Sequence, residues 1–298
     1  MAKGKRKIRK KSRRAPGGPH RHRTEKGKPI LFERAVDERD DPEIWLRLAV
    51  AKNLEKIEAR IGTTILREER TITAPLGCGA FGCVFRLADG RVLKVTSDEA
   101  EGPLSYWVLR MQRKRKVIKG HPIISMTTKM YDVFVFPKKV QLYGEWAPVY
   151  GIVREEVSPP EVDVPQKLLD AVDFYTDGWD SYCQAMEQGG RIIGASIARL
   201  GLKKIRRAGQ NGRSMAALLE YCWARGIPLM DVHARNLAKR MHGGRSKDQR
   251  RGQIVIFDFG GTEHCSMGPV VSAAAPGGKI RMKTAPTFRE LAKDIPKL

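Results

Sequence analysis

The sequence predicts an α+β protein in two parts, a β-rich segment followed by a mainly helical one, and three observations carry the prediction. From about Thr71 to Val157, short apolar runs are broken by turn residues. Beyond Gln166 the pattern turns helical, as in Met215, Leu218, Leu219 and Cys222. Between the two patterns Ser158-Pro159-Pro160 reads as a linker and puts a boundary near residue 157. With 298 residues and 41% hydrophobic content, the chain allows one large domain or two lobes with a sizeable core.

Residues 1–28 carry thirteen Lys or Arg against Glu25 alone, with Pro16, Gly17, Gly18 and Pro19 among them. Almost nothing apolar is available to order this segment, so a disordered basic tail is expected. It reads as a polyanion-binding arm, a localisation signal or a solvated tail. Residues 29–70 read as a helical extension. Asp41 is placed as N-cap and Pro42 at the first helical position, with Leu46, Val50, Leu54, Ile57 and Ile61 on one face. That face is expected to pack on the following segment as scaffold.

Cys83 to Leu87, Ala88-Asp89-Gly90 and Arg91 to Val95 describe a β-hairpin closed by Asp-Gly. Lys94 lies between Leu93 and Val95, so strand alternation turns it to the face opposite theirs. An edge-strand lysine would face water there; one directly after a phosphate turn would reach phosphates. Thr96 to Lys116 has a helical period through Leu104, Trp107, Val108 and Met111, with acidic residues in its first turn. Glu101 is the expected partner of Lys94, and Glu99 is its rival because Gly102-Pro103 leaves the helix register open. Met130 to Phe136 and Val149 to Val153 are further strands. Past the linker, Gln166 to Gly178, Trp179 to Leu202 and Ser214 to Arg225 are expected helices. Arg240 to Arg251 is a basic loop, solvated or facing an acidic partner. Ile254 to Phe257 is a short buried strand running into Asp258-Phe259-Gly260-Gly261, and Thr287 to Ala292 is a last short helix.

The net charge of +23 favours contact with polyanions: nucleic acid, acidic proteins or nucleotide phosphates. No run approaches eighteen apolar residues and the basic N-terminus has no apolar stretch, so no membrane contact and a cytoplasmic location are expected. The five cysteines are scattered, without zinc spacing, and are expected to be reduced and structural, with Cys78 and Cys83 packing beside a glycine turn.

That turn is Leu76-Gly77-Cys78-Gly79-Ala80-Phe81-Gly82-Cys83-Val84. Lacking a Cβ, Gly77, Gly79 and Gly82 can take positive φ and let their N–H groups approach phosphate oxygens. In chain order there follow Lys94, the acidic helix start, Asp231-Val232-His233-Ala234-Arg235-Asn236 and Asp258-Phe259-Gly260. Taken in that order, the set resembles the protein-kinase-like superfamily over about residues 71–265. Residues 76–84 follow its Leu-Gly-x-Gly-x-Phe-Gly-x-Val, Asp231 and Asn236 have its spacing, and Asp258-Phe259-Gly260 is its metal-binding triplet. Gly120-His121-Pro122-Ile123-Ile124 and Ile152 to Val157 are weaker echoes, the latter where the family's interlobe hinge lies.

The resemblance implies a bilobal fold, with an antiparallel β-sheet N-lobe carrying one helix at 71–156 and a mainly helical C-lobe at 157–298. It implies ATP and Mg²⁺ as cofactors and γ-phosphoryl transfer to a hydroxyl, a reaction that asks mostly for positioning and charge neutralisation. By resemblance, Gly77, Gly79, Phe81, Gly82 and Val84 would cover the nucleotide, and Lys94, oriented by Glu101, would contact its α- and β-phosphates. Backbone groups from Glu155 to Val157 would receive the adenine. Asn236 and Asp258 would hold Mg²⁺, and Asp231 would orient or deprotonate the acceptor hydroxyl.

The chain also departs from the family. Leu229-Met230 stand before Asp231 in place of His-Arg, which removes the arginine that reads a phosphorylated activation loop. The interval from Asn236 to Asp258 is long, the excess being the loop with Arg245, Lys247, Arg250 and Arg251. The 38 residues after Gly260 are too few for the usual peptide-binding platform. Asp231-Val232-His233 also matches the Asp-x-His-x-x-Asn loop of aminoglycoside and related small-molecule kinases, although His233 equally suits a structural bond to nearby backbone. The acceptor is therefore open: a protein Ser/Thr first, a small molecule second. A third reading is an inactive kinase-fold protein that binds nucleic acid or acts as scaffold.

Overall fold

The computed structural model describes residues 21–23, 29–31, 42–66, 75–79, 81–114, 121–142, 145–159, 163–187, 193–223, 229, 232–243, 249–259, 270–271, 282–283 and 288–298. Within the tail expected to be disordered, only Arg21–Arg23 (β1) is among these, and it pairs antiparallel with Pro29–Leu31 (β2). Asp41, the expected N-cap, lies outside the described residues.

The helix expected over 42–61 is two helices, Pro42–Lys52 (α1) and Leu54–Ile61 (α2). Asn53 separates them: its backbone leaves the helical region and its side-chain amide donates to the Ala49 carbonyl at 2.9 Å. Asparagine does this because its short amide competes for nearby carbonyls. The break leaves Leu46, Val50, Ile57 and Ile61 buried against Phe85, Leu93, Val95 and Val153, so the scaffold role expected of this face is what the packing shows.

Those partners lie on one face of a five-stranded antiparallel sheet built from Gly77–Gly79 (β3), Gly82–Arg86 (β4), Arg91–Thr96 (β5), Met130–Val135 (β6) and Tyr150–Glu155 (β9). The spatial order is β3-β4-β5-β9-β6, and a separate hairpin, Val140–Leu142 (β7) with Glu145–Ala147 (β8), precedes β9 in the chain. The Asp-Gly hairpin falls as expected, with Gly90 at φ 79° closing the turn into β5. The other face of the sheet carries Glu101–Arg113 (α3), followed by the short Pro122–Ser125 (α4).

The second half is mainly helical. The break expected at Gly178-Trp179 is absent, and Gln166–Glu187 (α5) runs through it. An interior glycine costs only about 1 kcal/mol, and Leu168, Leu169, Val172 and Tyr175 are buried at helical spacing ahead of it. Ile193–Arg207 (α6) packs closely on α5 at Gly201, where a Cβ would lie 2.9 Å from the Tyr175 Cα. Gly209–Trp223 (α7) follows. A single 3₁₀ turn at Ala234–Asn236 leads into a two-stranded ribbon, Leu237–Lys239 (β10) with Ile254–Ile256 (β11). Val270–Val271 (β12) pairs with Met282–Lys283 (β13), and Phe288–Ala292 (α8) packs on α3. The C-terminus then meets the edge strand: the Val135 N–H donates to Pro296 O at 3.0 Å and the Leu298 N–H to Val135 O at 2.9 Å. Among the described residues no helix is long and apolar enough to cross a membrane.

Candidate active site

The site is organised around Lys94. Leu93 and Val95 are fully buried on the α1–α2 side, so the pleat sends Lys94 to the other face. There its Nζ lies 2.7 Å from Glu101 Oε1 and 2.6 Å from Asp258 Oδ2. Glu101 is reached because α3 begins at that residue, later than the expected Thr96. Thr96 continues β5, and Asp98 Oδ1 accepts the N–H groups of Ala100 (2.7 Å) and Glu101 (3.1 Å), capping the first turn. Glu99, the rival, is exposed. Gly102 permits this register: a Cβ there would lie 2.3 Å from the Tyr150 ring.

The two acids that share Lys94 are not equivalent. Burial and then the charge of Asp258 push the Glu101 carboxyl up to about 8. Burial also opposes ionisation of Asp258, but Lys94 and Arg154 outweigh it and hold that carboxyl well below the usual range. Asp258 thus carries the negative charge that faces Lys94, and Glu101 is the acid more ready to hold a proton.

The glycine turn is the β3–β4 hairpin, with Val84 directly opposite Lys94. Its tip is anchored through the Phe81 carbonyl, which accepts the Ser97 N–H at 2.8 Å and the Thr96 hydroxyl at 2.9 Å. None of Gly77, Gly79 and Gly82 has the positive φ expected of them, because all three lie in extended strands. Gly82 is tightly fitted, since a Cβ there would come within 3.0 Å of Lys94 Cε and 3.2 Å of Val95 O, whereas one at Gly77 or Gly79 would meet nothing within 4 Å. Packing therefore explains Gly82 and leaves Gly77 and Gly79 as an open strip of backbone. The expectation of reduced thiols fails here: Cys78 and Cys83 form a disulfide across the hairpin. The hairpin register sets them face to face, a pairing that sequence spacing alone does not show. Cys222 is a buried thiol outside that disulfide.

Asp231 lies outside the described residues, as does Gly260. The loop after Asp231 is tied down on both sides. Asp173 Oδ1 on α5 accepts the Ala234 N–H at 2.7 Å, and the Thr176 hydroxyl donates to Val232 O at 2.9 Å. His233 Nδ1 accepts the Arg235 N–H at 3.1 Å, a bond to nearby backbone of the kind its position suggested. The Phe257 N–H donates to Asn236 O at 3.1 Å, which brings buried Asn236 to within one residue of Asp258 across the ribbon.

At the end of β9, the Glu155 N–H is taken by Lys129 O at 3.0 Å. Val157 bridges Arg240 in antiparallel fashion, and the bond from the Ser158 N–H to Lys239 O marks Val157 as a non-hydrogen-bonded position, so its own N–H and C=O turn away from residue 240. Arg240, read as part of a solvated loop, is in fact 1% exposed; it donates to Thr127 O at 3.0 Å and lies 3.2 Å from Glu155 Oε1. Arg240, Arg154 and Asp173 were not singled out as site residues from the sequence. Arg154-Glu155-Glu156 reads locally as the polar end of a strand and gives no sign of the burial of Arg154.

Oxygen donors decide which metal suits the site. The Asp258 carboxylate and the Asn236 amide are hard ligands of the kind Mg²⁺ takes, and among the described residues no group of three or more His, Cys, Asp and Glu could hold an ion by itself. Neither the comparison with protein-family models nor that with curated proteins returns a match for this chain.

Proposed function

We propose that this chain is an ATP-dependent phosphotransferase of bilobal, protein-kinase-like fold that passes a γ-phosphoryl group to a hydroxyl, with Ser or Thr of a protein as the first-choice acceptor. The observation that carries the reading is one buried ammonium shared by two acids from distant parts of the chain, Lys94 with Glu101 and with Asp258, which is 164 residues away. Such a cluster is costly to build for stability alone, and it stands beside an open strip of glycine backbone.

Each residue then has a task. The N–H groups along Gly77 to Gly82 lie over the phosphates. Lys94, steadied by Glu101, supplies positive charge to the α- and β-phosphates, and Val84 and Phe81 close the apolar side. Val157, with the Glu155 carbonyl, offers main-chain groups to the adenine edge. Asp258 and Asn236 would hold Mg²⁺, which when bound neutralises phosphate charge in the transition state. Asp231 accepts the proton of the incoming hydroxyl.

The test is incubation with Mg²⁺ and γ-labelled ATP, alone and with protein or small-molecule acceptors. Label on protein is expected, and Asp231→Asn should lower transfer by at least about a hundredfold. Label confined to soluble acceptors would make the chain a small-molecule kinase, and no transfer with either acceptor would reject the enzyme reading.

A further inference from the structure

Arg154 is a buried charge for which the reaction, as described, has no use. It stands on β9 with 4% of its surface exposed. The ladders set it opposite Val92 and Met130, two residues from Ile152, which is opposite Lys94. Alternation therefore turns Arg154 and Lys94 to the same face. Its guanidinium carbon is 5.1 Å from the centroid of the Phe257 ring, the residue before Asp258. Glu101 and Asp258 both pair with Lys94, while among the described residues the Arg154 Nε is buried without a hydrogen bond. Burial works against its charge, and Asp258, Glu101 and Glu155 are the acids that act to restore it. A buried donor left unpaired costs stability, and a well-packed apolar side chain generally does no worse, so packing gives no reason for arginine here.

We infer that Arg154 is the second cation of the phosphate end of the site, balancing Asp258 and Glu101 so that Lys94 can turn from Asp258 to the phosphates of a nucleotide. The inference rests on the nucleotide reading above. In the structure two acids share one ammonium. When Lys94 engages a phosphate, Arg154 remains as counter-charge to the acids, and its field in a low-dielectric interior adds to the attraction for each phosphate. It is a positioning residue, acting through Lys94 and Asp258, and its contribution grows with the number of phosphates on the ligand.

The experiment titrates full-length wild type, Arg154→Met and Arg154→Lys with ATP, ADP and adenosine in excess Mg²⁺, and melts each protein. Arg154→Met should lose about tenfold in ATP affinity and less in ADP affinity, the loss of roughly one charge-assisted interaction. Its adenosine affinity should be unchanged and its melting temperature equal to or above that of wild type. Arg154→Lys should recover most of the ATP affinity. Equal weakening toward all three ligands would make Arg154 merely structural and overturn the proposal, as would unchanged ATP affinity in Arg154→Met. If wild type itself binds neither ATP nor adenosine, the nucleotide reading falls and takes this inference with it. That outcome is distinct from a binding wild type with an unaffected variant.

Discussion

At the scale of single residues, the balance of charge around Lys94 governs the stability of the candidate site. Replacing Lys94 by Met leaves Glu101 and Asp258 facing each other, with Arg154 as the remaining cation among the described residues, and breaking a buried pair by removing one partner commonly costs about 3–5 kcal/mol. Because Glu101 takes up a proton readily, the expected loss is smaller, about 2 kcal/mol. Adding Glu101→Gln to Lys94→Met should return part of it, since a neutral amide needs no proton uptake to stand beside the Asp258 charge. Urea unfolding of wild type, both single variants and the double variant checks this, and additive losses around that cycle would mean that positions 94 and 101 are not coupled. Lys94 was legible in the sequence, because a charge between two apolar residues of a strand has to be pointed somewhere. Arg154 was not, because Arg154-Glu155-Glu156 reads as a polar exit from the same kind of strand. Arg240 was hidden likewise by the basic run that follows it.

At the scale of elements, α3 is the part that must be placed exactly for the ion pair to form, and Gly102 places it. Gly102→Ala would push a methyl into the Tyr150 ring, with contacts of 2.3 to 2.6 Å that require the helix or the ring to move. Overpacking of this kind typically costs about 1–3 kcal/mol. The variant should therefore melt below wild type and show weakened transfer through a displaced Glu101. A wild-type melting curve would show that α3 does not sit as close to β9 as described. From sequence, Gly102-Pro103 looked like an obstacle to the helix register; in three dimensions it is the contact that fixes it. The Asn53 break and the uninterrupted α5 teach the same lesson: propensity near Asn53 and Gly178 is weak, and local amide bonding in one case and packing in the other decide.

At the scale of the whole molecule, charge is the dominant property. The first 28 residues contribute thirteen of the 56 basic side chains, more than their share for so short a stretch. Removing them should weaken binding to duplex DNA and flatten its dependence on salt, because fewer counterions are released per complex. Phosphoryl transfer should stay near the wild-type rate. Anisotropy titrations across a salt series, run beside the labelling assay, decide it. An unchanged salt slope would remove the tail from polyanion binding, and a parallel loss of transfer would make it part of the enzyme.

The sequence by itself determined the hairpin at Asp89-Gly90, the separation into a β-rich and a helical half, and the candidate site residues, because each of these is written in local periodicity, turn chemistry and spacing. Only the tertiary structure decided what those residues touch. Glu101 rather than Glu99 meets Lys94, Cys78 and Cys83 are joined, and Arg154 and Arg240 are interior charges. The reason is physical: a buried charge or thiol is defined by its partners, and here most of those partners lie on other strands, brought near by sheet register and helix packing that no local pattern records.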